Sequence, residues 1–276
     1  MKLKEVLADT AIKLSRSGIE GAARDARILT AYTLQVPVSE LSLKINEQVS
    51  GKITSKLEKL ILRRINREPI SKILGRRDFW GRTFSINENV LDPRGDTETL
   101  IDFVIEKPVK SVLELGTGSG AIGITLACEW KEVHVTAVDI SEDALLLAKL
   151  NAEKFNVQNK IHFLKSDWYE SVEGHFDLII SNPPYIGLAE QDGLSAEVIK
   201  YDPEISLFAG RDGLAAYRRI IPSLPKFLNP DGFVALETGA SQSNQVKNMM
   251  NTVGFIDIKI VKDLSGKDRL VSAKLA

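Results

Sequence analysis

From residue 110 onward the chain alternates short apolar segments with longer amphipathic ones. The pattern predicts strands near residues 110–115, 133–138, 161–164, 176–180 and 232–237, with a closing pair at 255–261 and 269–275. Helices are predicted over residues 119–129, 141–155, 214–228 and 241–252. Such alternation is typical of a mostly parallel sheet with helices on both faces. Ligands of these folds bind beyond the carboxyl ends of the strands.

A glycine-rich turn follows the first predicted strand. Its residues Gly116, Thr117, Gly118, Ser119 and Gly120 allow a sharp turn and a close approach of backbone to ligand. Asp139, which ends the second strand, could accept hydrogen bonds from both hydroxyls of an adenosine ribose. Nicotinamide cofactors and S-adenosylmethionine share this ribose, so Asp139 does not separate them. It could also serve only as a charge or cap for the helix after it.

The third and fourth strand ends favour S-adenosylmethionine. Asp167 and Trp168 place a carboxylate and a ring where an adenine could be bound and packed. The fourth strand is followed by Asn182-Pro183-Pro184-Tyr185, in which neither proline has a backbone N–H. The Asn182 side-chain oxygen and the Pro183 carbonyl could hold both hydrogens of one planar NH2 group, with Tyr185 stacked on it. The alternative is a rigid Pro-Pro turn that only closes a buried strand.

Composition limits the class of protein. The 276 residues are 43% hydrophobic and 26% charged, as in a globular protein of one large or two ordinary domains. We expect no signal peptide and no membrane span. The single cysteine, Cys128, cannot form an internal disulfide. His134, His162 and His175 have no partners at metal-ligand spacing, so we expect no metal site.

Charge and periodicity set the N-terminal region apart. Residues 1–80 hold 16 Lys/Arg against 9 Asp/Glu, a net charge of +7. Because the whole chain has a net charge of −1, residues 81–276 have a net charge of −8. The apolar spacing in this region predicts helices. One helical face over residues 51–66 carries the basic residues Lys52, Lys56, Lys59, Arg63 and Arg67. This basic stripe is either a solvated helix face or a docking surface for an acidic partner. Short alternating segments from Phe79 to Leu91 predict a β-hairpin or linker.

The four strand ends together resemble those of class I S-adenosylmethionine-dependent methyltransferases. Further motifs are Arg67-Glu68-Pro69-Ile70, Ile73-Leu74-Gly75, Pro93-Arg94-Gly95-Asp96-Thr97-Glu98, Asp202-Pro203-Glu204, Gly210-Arg211-Asp212-Gly213-Leu214 and Asp263-Leu264-Ser265-Gly266-Lys267-Asp268-Arg269. With them the chain resembles, over nearly its whole length, the release factor glutamine methyltransferase family of the HemK/PrmC type. It departs from the family pattern at Gly95 and Asp96, where Pro-Glu is common, and at Thr238, where Ile is common.

The resemblance implies a fold, a reaction and a partner. The fold would be a Rossmann-like, seven-stranded, mostly parallel sheet with a small N-terminal helical bundle. The expected domains are a substrate-recognition domain (1–76), a β-hairpin linker (77–94) and a methyltransferase domain (95–276). The reaction would be methylation of the side-chain amide nitrogen of the glutamine in the Gly-Gly-Gln motif of class-1 peptide chain release factors. We expect a cytoplasmic monomer that contacts neither nucleic acid nor membrane directly.

The resemblance also assigns residues to the site. The cofactor would be bound by Gly116, Thr117, Gly118, Ser119, Gly120, Asp139, Asp167, Trp168 and Asn182. The glutamine would be bound by Asn182, Pro183, Pro184 and Tyr185, of which Asn182, Pro183 and Tyr185 would act in catalysis. Two alternatives stay open. One is an adenine-N6 or cytosine-N4 methyltransferase, whose target is also a conjugated NH2 group; the other is a cofactor-binding module without catalysis.

Overall fold

The chain folds into alternating helices and strands, seen in a computed structural model that describes residues 1–275. The helices are α1 (Leu3–Arg16), α2 (Ala22–Leu34), α3 (Gly51–Ile65), α4 (Ile70–Leu74), α5 (Glu98–Val104), α6 (Ala121–Glu129), α7 (Glu142–Lys154), α8 (Ala196–Tyr201), α9 (Ala215–Ile220), α10 (Leu224–Phe227) and α11 (Ser243–Thr252). The strands are β1 (Arg76–Phe79), β2 (Arg82–Ser85), β3 (Ser111–Leu115), β4 (His134–Asp139), β5 (Ile161–Lys165), β6 (Phe176–Ser181), β7 (Leu228–Glu237), β8 (Phe255–Lys262) and β9 (Asp268–Leu275).

A seven-stranded sheet has the order β5-β4-β3-β6-β7-β9-β8. The strands from β5 to β7 pair in parallel, and β9 runs antiparallel to both β7 and β8. This confirms the predicted mostly parallel sheet. The strand order reverses between β3 and β6, whose final residues Leu115 and Ser181 are register partners. Gly116 and Asn182 therefore leave the sheet side by side, at the edge where folds of this type bind ligands.

The central strands are buried on both faces. Leu113 and Ile179 contribute to the apolar cluster on one side of the sheet, whereas Val112 and Leu178 contribute to the cluster on the other. Successive side chains of a strand point to opposite faces, so a strand covered on both faces is mostly apolar. This is the physical reason that β3 and β6 are rich in Val, Leu and Ile, with Glu114 and Asp177 as charged exceptions.

The segment predicted as one helix over residues 214–228 is not a single helix. It forms α9, a 3-10 turn at Ile221–Ser223 and the short helix α10. Pro222 and Pro225 lie in the turn and at the start of α10. Proline lacks the N–H that continues a helix and its ring clashes with the preceding turn, so the helix stops and restarts at these residues.

The chain forms two compact units. The first is Met1–Gly75 together with Ser195–Tyr201, and the second is Arg76–Leu194 together with the residues from Asp202 onward. The antiparallel hairpin of β1 and β2 belongs to the second unit. The short helix α8 belongs to the first unit, although the chain reaches it from the second. The proposed recognition and linker roles of residues 1–76 and 77–94 stay predictions.

The first unit has an apolar helical core with one buried cation. Leu14, Leu29 and Ile61 are buried where α1, α2 and α3 pack together. The Arg64 guanidinium lies among these helices, 2.7 Å from the carboxylate of Asp25 and 2.8 Å from that of Glu197. A buried charge is tolerated when it is paired in this way.

The basic stripe is shorter than predicted. Lys52, Lys56 and Lys59 are exposed on α3, and Arg63 forms an ion pair with Glu68. The inclusion of Arg67 is wrong, because α3 ends at Ile65 and Arg67 adopts a left-handed conformation with φ 70°. Its guanidinium instead donates to the main-chain carbonyls of Ser17 and Gly18. Among the helices of residues 1–275, none is long and apolar enough to cross a membrane.

Candidate active site

A buried glutamate forms hydrogen bonds to the glycine-rich turn and to the helix that follows it. Glu114, the penultimate residue of β3, accepts hydrogen bonds from the Thr117 hydroxyl at 2.7 Å and from the Gly123 N–H at 3.2 Å. The Thr117 N–H donates to the Val138 carbonyl at 2.9 Å. Burial raises the pKa of Glu114 to about 7, although these two hydrogen bonds oppose that shift. The turn is thus tied both to its own strand and to β4.

The glycines of the turn have different roles. Gly116 and Gly118 have φ values of +70° and +55°, and a Cβ at Gly118 would meet nothing within 4 Å. Gly120 also has a positive φ, but a Cβ there would lie 2.6 Å from Cδ1 of Ile124. Both glycines therefore let the backbone turn sharply, and Gly118 does so beside open space. The third lets α6 pack closely on its own first turn.

Asp139 joins the turn to the next helix. One carboxylate oxygen accepts from the Gly118 N–H at 2.8 Å, and the other accepts from the Ser141 N–H at 3.0 Å. The helix cap is Ser141, whose hydroxyl accepts from the Ala144 N–H. Because a carboxylate has about four acceptor positions, these backbone contacts do not use its full capacity to accept hydrogen bonds. Burial raises the pKa of Asp139, against the backbone hydrogen bonds that lower it.

The end of β5 brings a ring and an ion pair to the same edge. The indole of Trp168 lies beside the glycine turn, 4.0 Å from where a Cβ on Gly116 would be. Trp168 has a positive φ of 55°, and its carbonyl accepts from the Ser166 hydroxyl at 2.9 Å. The Asp167 carboxylate pairs with Arg219 at 2.8 Å. One oxygen of Asp167 is therefore already engaged by a residue that the sequence did not point to.

Asn182 is oriented by a threonine from a distant part of the chain. Its side-chain nitrogen donates to the Thr97 hydroxyl oxygen at 3.0 Å, which leaves its side-chain oxygen as a free acceptor. The residue before it is fixed as well, since the Ser181 hydroxyl donates to the Leu115 carbonyl at 2.6 Å. No donor among residues 1–275 forms a hydrogen bond to the Pro183 carbonyl. These are the two acceptors expected for a planar NH2 group.

The Tyr185 main chain is held by a glutamine side chain. Its carbonyl accepts from the Gln242 amide nitrogen at 2.8 Å, and the same nitrogen is 3.3 Å from the Gly213 carbonyl. Any Cβ at Gly213 would lie 2.3 Å from the Tyr185 carbonyl oxygen, so the close contact needs glycine. Partial burial of the ring raises the pKa of the Tyr185 hydroxyl to about 12. Tyr185 is therefore a neutral hydroxyl at physiological pH.

A cavity of about 330 Å³ lies over these strand ends. The predicted residues on its wall are Gly116, Thr117, Gly118, Ser119, Asp139, Asp167, Trp168, Asn182 and Pro184. Gly120, Pro183 and Tyr185 lie outside the wall. The wall also includes residues 89–93, Thr97 and several residues between 203 and 219, among them Arg219, with further residues from β4 and the starts of α6 and α7. Only the resemblance of the motif Pro93–Glu98 to a family pattern could have pointed to Thr97, and nothing in the sequence pointed to Arg219.

The sheet and its cavity define a class I S-adenosylmethionine-dependent methyltransferase, with a glycine turn, a carboxylate at the end of β4 and an indole after β5 on one cavity wall. The family model "Methyltransferase small domain" matches residues 87–204, and "PrmC N-terminal domain" matches residues 5–75. A release factor glutamine methyltransferase of Cereibacter sphaeroides is 38% identical over 275 residues, covering 100% of this chain and 99% of its own. The chain belongs to the release factor glutamine methyltransferase family.

Other relatives agree with this family, and a solved structure agrees with the fold. A release factor glutamine methyltransferase of Rhodospirillum rubrum is 37% identical, over 99% of this chain and 85% of its own. A bifunctional methyltransferase of Rickettsia prowazekii is 38% identical, but this chain spans only 56% of its length. The crystal structure of a methyltransferase from Pyrococcus furiosus superposes with a TM-score of 0.53 at 23% identity, covering 80% of this chain and 98% of that one. At that identity the superposition supports the fold alone.

Proposed function

We propose that this enzyme methylates the side-chain amide nitrogen of the glutamine in the Gly-Gly-Gln motif of class-1 peptide chain release factors. The names of the relatives that match along the whole chain support this substrate. The observation that carries the chemistry is the orientation of Asn182, whose nitrogen is engaged by Thr97 and whose oxygen is left as an acceptor. We further propose that it acts in the cytoplasm as a monomer and touches neither nucleic acid nor membrane directly.

The proposed site divides between two ligands. Residues Gly116–Gly120, Asp139, Asp167 and Trp168 would hold S-adenosylmethionine, which supplies an electrophilic methyl group on a sulfonium sulfur. Asn182 and the segment after it would hold the glutamine amide. Its two hydrogens would be accepted by the Asn182 side-chain oxygen and the Pro183 carbonyl, with Tyr185 packed behind this segment.

Two acceptors on one NH2 group orient the lone pair of its nitrogen and increase the electron density there. An amide nitrogen is a poor nucleophile because its lone pair is delocalised into the carbonyl. Acceptors fixed on both hydrogens aim the lone pair and enrich it as the new N–C bond forms, which is catalysis by positioning and electrostatics. The nitrogen then releases one proton, so that one hydrogen is exchanged for one methyl group.

Replacement of Asn182 tests this assignment. For Asn182→Ala we expect kcat to fall by about 10²-fold or more, as for other single oriented groups in active sites. Tyr185→Phe, the matched control, should have a milder effect because the ring matters more than the hydroxyl. The measurement is transfer of a labelled methyl group to a release factor. An Asn182→Ala enzyme within a few-fold of the wild-type rate would contradict the role.

The substrate is tested in the same assay by offering DNA beside the release factor. Label in the glutamine supports the proposal, and label in adenine or cytosine bases would replace it with a nucleic-acid methyltransferase. Residues 81–276 have a net charge of −8, by difference from the total of −1 and the +7 of residues 1–80. This net negative charge disfavours binding of the negatively charged phosphate backbone of DNA. We therefore expect no label in DNA.

We also propose that the basic, helical first unit recognises the body of the release factor. Lys56 and Lys59 are exposed on α3, whereas Arg63 is already paired with Glu68. Charge reversal of both lysines should weaken binding of the whole factor and leave methylation of a short Gly-Gly-Gln peptide unchanged. Unchanged affinity and unchanged salt dependence would show that the stripe is only a solvated helix face.

A further inference from the structure

Glu237 is a buried carboxylate that the reaction described above does not use. It is the last residue of β7, and its neighbour Leu236 is the register partner of Ser181 at the end of β6. Glu237 therefore ends its strand next to Asn182 in space, although the two are far apart in the sequence. Its side chain has no exposed surface, and neither carboxylate oxygen has a regular hydrogen-bond partner among residues 1–275. Buried polar atoms are seldom left in this state without a reason.

Two hydroxyl groups of the site face this carboxylate. The side chains of Thr97 and Tyr185 both interact with Glu237 and lower its pKa, although neither contact has regular hydrogen-bond geometry. The Tyr217 hydroxyl is directed elsewhere, since it donates to the main-chain carbonyl of Glu237 at 2.8 Å. Thr97 is the residue that also accepts the hydrogen bond from Asn182. Glu237, Thr97 and Asn182 thus form a row that ends in the cavity.

The charged groups around Glu237 do not neutralise it. The Arg269 guanidinium attracts it, but Arg269 is bound to Asp263 at 3.1 Å and to Asp96 at 3.0 Å. Asp96 repels it. Burial outweighs these contributions and raises the pKa of Glu237 to about 7. The carboxylate is therefore poised between its two protonation states near neutral pH.

The direction of the hydrogen bonds in this row depends on Glu237. An ionised carboxylate can only accept, so when Thr97 donates to Glu237 the single hydroxyl proton of Thr97 is used there. The Thr97 oxygen must then accept from Asn182, and only the side-chain nitrogen of Asn182 can donate. A protonated Glu237 can instead donate to Thr97. Thr97 is then free to donate to the Asn182 oxygen, which would turn the Asn182 nitrogen toward the cavity.

We propose that Glu237 is a positioning residue for the methyl transfer: through Thr97, its ionised carboxylate fixes the Asn182 amide with the nitrogen inward and the oxygen toward the substrate NH2 group. This inference rests on the proposed function, in which Asn182 accepts a hydrogen from the target amide. It goes beyond that function by making the acceptor state of Asn182 depend on Glu237, which acts only through Thr97.

The first test is the pH dependence of kcat on a Gly-Gly-Gln peptide. The wild-type rate should rise with pH as Glu237 loses its proton, with an apparent pKa near 7. Glu237→Gln should lower kcat at pH 8 by about 10-fold, less than loss of a group that touches the substrate, and should abolish this rise. Burial also raises the pKa of Glu114 to about 7, so the rise belongs to Glu237 only if Glu237→Gln removes it.

Two substitutions at Thr97 test whether this residue connects Glu237 to Asn182. Thr97→Val removes the hydroxyl at constant shape and should lower kcat about as much as Glu237→Gln, with no further loss in the double variant. Thr97→Ser keeps the hydroxyl and should retain most of the activity. Equal activity of Thr97→Val and Thr97→Ser would overturn the proposal, even if Glu237→Gln failed to fold.

A spectroscopic test does not need methyl transfer. The NMR signals of the Asn182 side-chain NH2 group should shift with pH near 7 in the wild-type protein and should not shift in Glu237→Gln. Signals that titrate equally in both proteins, or in neither, would overturn the proposal. A wild-type protein that shows this titration but does not methylate the peptide would instead contradict the proposed function.

Discussion

In the first unit the buried carboxylate of Asp25 lies 2.7 Å from the buried guanidinium of Arg64, whereas in the second unit Glu114 and Glu237 form no ion pair within residues 1–275. Burial raises the pKa of both glutamates to about 7. The paired charge lies in a helical core, and the unpaired ones lie beneath the glycine turn and beside Asn182. Unpaired buried charge destabilises a fold, so its presence at strand ends around a cavity is typical of a functional site.

The largest expected effect is the loss of the paired cation. Arg64→Met leaves the Asp25 carboxylate buried without its partner and should reduce the free energy of unfolding by about 3–5 kcal/mol. The double variant Arg64→Met, Asp25→Leu is the matched control, because removal of both charges should restore most of the loss. Urea denaturation of the full chain measures both. A single variant that costs less than about 1 kcal/mol would show that the pair does not stabilise the helical core.

The unpaired glutamates should make stability fall as pH rises. The folded-state pKa of Glu114 is about 7, above the ordinary value of 4.5, so the folded state binds more protons than the unfolded state between these two values. The free energy of unfolding should therefore decrease from about pH 4.5 to pH 7, by up to about 3 kcal/mol for one such group.

Glu114→Gln tests this pH dependence at constant shape. Relative to the variant, the wild-type protein should lose stability across that pH interval, and the measured quantity is the slope of the difference, not its absolute value. Parallel curves for the two proteins would mean that Glu114 does not change its charge in the folded state over this range.

The smallest expected effect is at the surface of the first unit. Lys13 pairs with Asp9 and with Glu58, both at 2.9 Å, and all three side chains are at least 38% exposed. Lys13→Met should change the free energy of unfolding by less than about 1 kcal/mol, because solvent screens exposed pairs. Added salt should shrink the difference further. If Lys13→Met reduced the free energy of unfolding as much as Arg64→Met, buried and exposed ion pairs would not differ in their contribution to stability.

Local patterns in the sequence predicted most of the sheet-containing unit. β3 and β6 were predicted from their short apolar segments, and the turn from its glycines, which allow a sharp change of chain direction. The helix over residues 214–228 was predicted as continuous, although the segment contains Pro222 and Pro225. Those prolines break it in the structure.

Contacts between distant parts of the chain could not be predicted in the same way. Thr97 is 85 residues from Asn182, and Glu197 is 133 residues from Arg64. Neither pair leaves a periodic or spacing signal, since each contact arises only when separate elements pack. The same reason explains why Arg219, which pairs with Asp167, was missed.

The sequence by itself determined the alternation of strands and helices, the glycine turn and the acceptor-rich segment that begins at Asn182. These follow from local chemistry: side-chain periodicity, the conformational freedom of glycine and the missing N–H of proline. Tertiary structure alone decided which way the Asn182 amide faces. The side-chain nitrogen donates to Thr97, which packs against Asn182 from a part of the chain 85 residues away, and the sheet order places Glu237 at the end of β7 beside them.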